Sequence, residues 1–161
     1  MVEPRLEHLG PLRLFGISRA HNRVQEPEGI SYGIGAQWRE MRRHCGFTSN
    51  CACIGVFGRM ADGETKFNYF CGAPQMAFSG ALPDGLSTLE LPLMNCAVFP
   101  YLGHVLGLGD FVHYILRDGL REAGLQMVPS DINTPEFCER YGAGFDPGTL
   151  IGNIEVIVPV L

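Results

Sequence analysis

At 161 residues, 46% hydrophobic and 18% charged, the chain has apolar material for one core and no apolar run long enough to span a membrane as a helix. Its net charge is -5 and its pI about 5.5; the one basic cluster, Arg39, Arg42 and Arg43, falls on the wet side of a helical pattern, which argues against a nucleic-acid binder. The opening segment mixes Glu3, Arg5, Glu7 and His8 with its leucines and has no signal-peptide core, so the expectation is a cytoplasmic protein with reduced thiols.

In chain order, Leu12 to Ile17 reads as a strand, and a loop with Asn22, Pro27 and Gly29 follows. Ile30, Ile34, Trp38, Met41 and Cys45 then recur at helical spacing, opposite Arg39, Glu40, Arg42 and Arg43, and Gly46 is placed to end that helix. Cys51 to Phe57 and Lys66 to Cys71 read as strands joined by an Asp62-Gly63 turn. The order then repeats. Cys96 to Tyr101 is a strand, and a link through Gly103, Gly107 and Gly109 leads to a second helix with Asp110 as its expected N-cap. Phe111, Val112, Ile115, Leu116 and Leu120 form its apolar stripe, and Gly124 ends it. Pro135 to Tyr141 and Asn153 to Val160 supply two more strands, with a loop through Asp146-Pro147-Gly148 between them.

The expected architecture is α+β. A tandem pair of strand–helix–strand–strand units, about 1–73 and 93–161 with a link at 74–92, would form a sheet with helices on one side. The cleft between the halves would be the natural ligand site of this single domain.

The most informative segment is Glu136-Phe137-Cys138-Glu139-Arg140-Tyr141. Strand alternation puts Phe137, Glu139 and Tyr141 on one face. An unpaired carboxylate in ordinary core costs several kcal/mol or takes up a proton, whereas in a pocket it becomes a strong partner for a cation, with aromatic walls adding cation–π attraction. Two plainer readings stay open from the residues alone: a solvent-exposed face, or pairing of Glu139 with an arginine. Other aromatics able to share the pocket are Trp38, the only tryptophan, Phe67 with Tyr69, and Phe99 with Tyr101. Glu155 alternates with Ile154, Val156 and Val158 and is expected to face outward.

Of the six cysteines, Cys45, Cys51 and Cys53 lie near His44, but Cys51-x-Cys53 lacks the usual zinc spacing. The five histidines are scattered. There is no Walker loop, no complete dinucleotide fingerprint and no nucleophile elbow, so neither a metal nor a cofactor is expected.

Four segments together resemble the GyrI-like (gyrase-inhibitor-like) effector-binding domain of AraC-type and MerR-type multidrug-sensing regulators. They are Ile34-Gly-Ala-Gln-Trp38, Leu91-Pro-Leu-Met-Asn-Cys-Ala-Val-Phe99, Phe137-Cys-Glu-Arg-Tyr141 and the ending Ile154-Glu-Val-Ile-Val-Pro-Val160. The resemblance implies a pair of strand–helix–strand–strand units binding hydrophobic, often cationic, small molecules between them. Glu139 matches the family's cation-binding glutamate and Trp38 its helix-one aromatic, and the resemblance carries Tyr69, Tyr101 and Tyr141 over as further pocket aromatics. With no helix-turn-helix ahead of it and an acidic balance, the chain is not expected to touch DNA itself.

The leading expectation is a sensor or sequestration module for a cationic aromatic compound, with Glu139 as its charge and Trp38, Tyr69, Phe99, Tyr101, Phe137 and Tyr141 as its walls. The alternative is a hydrolase of electrophilic small molecules using Glu139 as general base, and last comes a protein-interaction, topoisomerase-inhibitory role. A monomer and a homodimer both fit.

Overall fold

The computed structural model describes residues 2–22, 29–44, 52–59, 65–78, 80–129, 134–142, 144–146 and 148–161. Cys45, Gly46, Cys51 and the Asp62-Gly63 turn therefore lie outside the described residues.

Among the described residues, eight strands form one antiparallel sheet: β1 (Arg5–Leu9), β2 (Leu12–Asn22), β3 (Cys53–Phe57), β4 (Lys66–Ala73), β5 (Ser87–Leu91), β6 (Met94–His104), β7 (Phe137–Tyr141) and β8 (Ile151–Pro159). Their order across the sheet is β1-β6-β8-β7-β3-β4-β2-β5. Helix α1 (Gly29–Met41) crosses between β2 and β3. Helix α2 (Leu108–Tyr114) follows β6 and runs on through a π-helical turn, Ile115–Gly119, to a last turn, Leu120–Glu122. Gly124 stops it at φ +72°, as its sequence position predicts.

Two strands go beyond the sequence reading. β1 precedes the first expected strand, and β5 lies inside the stretch expected to be a link. Their registers explain the shape of the sheet. Leu9 pairs with Met94 and Leu12 with Leu91, so the β1–β6 and β2–β5 ladders share one register across two short bends. Residues 5–16 and 87–98 are thus two long, bent, paired ribbons, and the bend curls the sheet into a half-barrel. Gly10 makes the bend possible: its φ is +93°, and a Cβ there would lie 2.3 Å from the Pro92 carbonyl oxygen.

Alternation along the strands builds two cores. Trp38, Met41, Tyr69, Phe99, Val112, Ile115, Ile154 and Val156 pack between the sheet and both helices. Leu14, Ile54, Phe70, Met94, Val98, Cys138 and Ile157 fill the opposite face, a cluster made of strand residues alone. The helices therefore share one side of the sheet.

One local expectation is corrected. Asp110 does not cap α2 but lies in its first turn, because a short 3-10 turn, Val105–Gly107, starts the coil earlier. That turn is capped by His104, whose Nδ1 accepts from the Leu106 amide at 3.0 Å.

Candidate functional site

Strand β7 runs at the middle of the sheet, between β3 and β8. Its alternation turns Phe137, Glu139 and Tyr141 toward the helices and Cys138 into the other core. Arg140 leaves on the opposite side, where it bonds Glu7 at 2.9 and 3.1 Å and Glu155 at 2.9 Å. Glu155, expected to face outward, is part of this ion network with Arg5 and Arg140. The nearest arginine in sequence is thereby taken, and Glu139 has no ion pair among the described residues.

Glu139 is only 5% exposed. Its Oε2 accepts from the Tyr69 hydroxyl at 3.4 Å and from the Tyr141 hydroxyl, while Trp38 Nε1 donates to the Tyr69 oxygen at 2.8 Å. Burial lifts the carboxyl to a pKa of about 7, against the opposing pull of the Tyr141 and Tyr69 hydrogen bonds. Burial and the neighbouring Glu139 charge push both tyrosines well above their ordinary range, so both hydroxyls stay protonated as donors.

Gln37, fully buried one residue before Trp38, holds α1 in place. Its amide donates to the Ile17 and Tyr69 carbonyls at 2.8 and 2.9 Å. With both amide hydrogens given away, its Oε1 accepts from His21 Nε2 at 2.7 Å, which fixes a proton on that ring nitrogen. This clamp sets Trp38 over Tyr69.

Gly55 makes room for the network. It pairs directly with Glu139 across β3 and β7, and a Cβ there would lie 2.1 Å from the Tyr69 hydroxyl. Gly55→Ala is expected to cost about 2–3 kcal/mol and to shift Trp38 emission, since Tyr69 must leave Trp38 and Glu139 together. Denaturant unfolding with an emission spectrum checks this; wild-type values of both would show that the hydroxyl moves at no cost.

A cavity of about 840 Å³ opens between the two helices over this part of the sheet. Ile34 and Trp38 of α1 form one wall and Leu108, Val112 and Leu116 the other, with Phe57, Phe67, Phe137 and Tyr141 as an aromatic floor around Glu139. The Phe57 and Phe137 rings stack at 4.2 Å between centroids, and Trp38 meets Tyr141 edge-on at 5.3 Å. Arg39, Arg42, Asp110, His113 and Glu136 add polar lining, so two arginines of the cluster read as solvent-facing also border the cavity.

Of the candidate residues, Glu139, Trp38, Phe137 and Tyr141 line the cavity, and Tyr69 stands behind it, fully buried, reaching Glu139 through its hydroxyl. Phe99 and Tyr101 sit elsewhere. Phe99 is fully buried core against the π-helical turn near Gly119. Tyr101 packs on Phe111 and donates to the His104 carbonyl at 2.8 Å, a hydroxyl closely flanked by Gly103 and Gly107. Phe57 and Gly55 escaped the sequence reading, although a glycine inside a strand signals the close approach of another group.

Among the described residues no cluster of His, Cys, Asp and Glu is placed to hold a metal. Cys53, Cys71, Cys96 and Cys138 are buried, and burial pushes the Cys96 thiol up to about 11 and that of Cys138 further still. No described helix is long and apolar enough to cross a membrane.

A family model described as the GyrI-like small molecule binding domain matches residues 2–161. No curated protein matches. Among solved structures, an integron cassette protein from the mobile metagenome of Vibrio cholerae superposes with a TM-score of 0.71 at 12% identity, over 99% of this chain and 96% of its own. SAV2435, solved bound to tetraphenylphosphonium, gives 0.69 at 17% identity, with 99% and 94% covered. The C-terminal domain of EcmrR gives 0.62 at 14% identity, with 100% and 98% covered. At these identities the likeness is one of fold.

Proposed function

The chain belongs to the GyrI-like small molecule binding domain family, and on that premise we propose that it binds hydrophobic aromatic cations against Glu139, as a sensor or sequestering module. The observation that carries this reading is a buried carboxylate without an ion pair among the described residues, on the aromatic floor of a cavity of drug-sized volume. A cation there offsets the cost of burying the charge and gains ring attraction from Trp38, Phe57, Phe137 and Tyr141. The tetraphenylphosphonium bound by a protein of the same fold is a compound of this class.

In the same reading the domain is a tandem pair. β2, α1, β3 and β4 follow the same order as β6, α2, β7 and β8, and β3 and β7 meet at the centre of the sheet, beneath the cavity.

The test is a titration with tetraphenylphosphonium and with neutral triphenylphosphine oxide, followed by Trp38 fluorescence at pH 5.5 and pH 8. The cation is expected to bind at least tenfold more tightly at pH 8, as Glu139 ionises near pH 7, and the neutral compound to show no such rise. Equal pH profiles for both would sink the reading.

The same raised pKa favours one second reading. A carboxylate titrating near 7 beside two hydroxyl donors suits a general base acting on water in the hydrolysis of an electrophilic ligand. Turnover of any compound that binds separates the two.

A further inference from the structure

The two oxygens of the Glu139 carboxylate are not equivalent. Both tyrosine hydroxyls, Tyr69 and Tyr141, converge on Oε2. Oε1 accepts no hydrogen bond among the described residues, and it is not one of the fully occluded polar atoms, so the slight exposure of this side chain lies on its cavity side. Neither the rings of the floor around it nor Arg39, Arg42 and His113, which also line the cavity, donates a hydrogen bond to it. An anionic acceptor with a free in-plane lone pair, set on an aromatic floor, is left short of a donor that the ligand can bring.

We propose that the site selects cations bearing a single N–H donor, that is, protonated tertiary amines, over cations without one and over forked amidinium cations. This rests on the cation-binding reading above. A quaternary ammonium or phosphonium group gains only the charge and ring attraction that any cation gains. A protonated amine adds a charge-assisted hydrogen bond to Oε1. An amidinium needs both carboxylate oxygens for its parallel pair of bonds, and Oε2 is already held by two hydroxyls. Selectivity therefore follows from the tyrosines as much as from the glutamate: they leave one half of the carboxylate open.

The experiment compares three biaryl probes on the full chain at pH 8 by calorimetry: a tertiary amine in its ammonium form, its N-methyl quaternary salt and a matched amidinium. Tetraphenylphosphonium serves as reference. The ammonium is expected to bind about ten- to hundredfold more tightly than its quaternary salt, the worth of one charge-assisted hydrogen bond, with the amidinium no better than the quaternary salt. Tyr141→Phe, which removes one hydroxyl from Oε2, is expected to raise amidinium affinity relative to the ammonium.

Equal affinities for the ammonium and its quaternary salt would overturn the proposal while leaving the cation-binding reading intact, provided tetraphenylphosphonium binds and Glu139→Gln weakens it. Failure of all four cations to bind, or binding indifferent to Glu139→Gln, would overturn that reading and this proposal with it. An amidinium that binds best in the wild type would refute the single-donor geometry alone.

Discussion

Glu139→Gln is expected to weaken binding of tetraphenylphosphonium at pH 8 by about a hundredfold. The substitution keeps the shape of the side chain and an oxygen able to accept from both tyrosine hydroxyls, so the aromatic floor stays in place. What is lost is one charge. At about 5 Å and an effective dielectric near 20, that charge is worth on the order of 3 kcal/mol to a ligand cation, or roughly two powers of ten in affinity. The neutral phosphine oxide is expected to bind the two proteins alike. Calorimetric titration of both compounds against both proteins provides the check, and a loss shared equally by cation and neutral compound would assign Glu139 a structural role instead.

The second large effect concerns stability. The folded Glu139 titrates near 7, whereas in the unfolded chain it would do so near its ordinary value of 4.5. Between those pH values the folded state holds a proton that the unfolded state has released. Stability therefore falls as pH rises from about 4.5 to about 7 and is level for this group above that. The full span is on the order of 3 kcal/mol, since each pKa unit corresponds to about 1.4 kcal/mol and the carboxyl is deeply buried. Glu139→Gln never pays the cost of a buried charge, so its unfolding free energy is expected to exceed the wild type's at pH 8 and to match it at pH 4.5. A saturating cation is expected to restore stability to the wild type at pH 8 and to do far less for the variant. Urea unfolding at the two pH values measures both effects; a wild type less stable at pH 4.5 than at pH 8 by the same margin as the variant would contradict the account.

These two results share a cause. The cavity keeps a charge under strain in the empty protein, and the ligand cation relieves it. Affinity for cations and reduced stability at high pH are two readings of one desolvated carboxylate.

Much of this was legible in the chain. Period-two alternation in Phe137-Cys138-Glu139-Arg140-Tyr141 placed the carboxylate on a face with two aromatics, and helical spacing put Trp38 on the inner stripe of α1. Both are local facts of backbone geometry. The resemblance to GyrI-like domains rested on the same segments and is shown by the family match across residues 2–161. β1 and β5 were harder to see because they are short, mix charged or polar residues with their leucines, and gain their pairing from partners some 70 to 90 residues away.

By itself, then, the sequence determined which residues share a face, that the chain carries an α+β pattern of strands and two amphipathic helices, and that Glu139 is a carboxylate among aromatics. Those properties depend on neighbours within a few residues, where bond geometry alone sets direction. Only the tertiary structure decided which aromatics meet that carboxylate. Tyr69 reaches it because β3, with glycine at position 55, lies between β4 and β7; Tyr101, equally plausible as a pattern, is carried by β6 past the cavity to the His104 turn. It also decided that Glu139 stays without an ion pair among the described residues, because Arg140 is held on the other face by Glu7 and Glu155. Such contacts join residues far apart in the chain, and their geometry is set by register, curl and packing, which no short stretch of sequence contains.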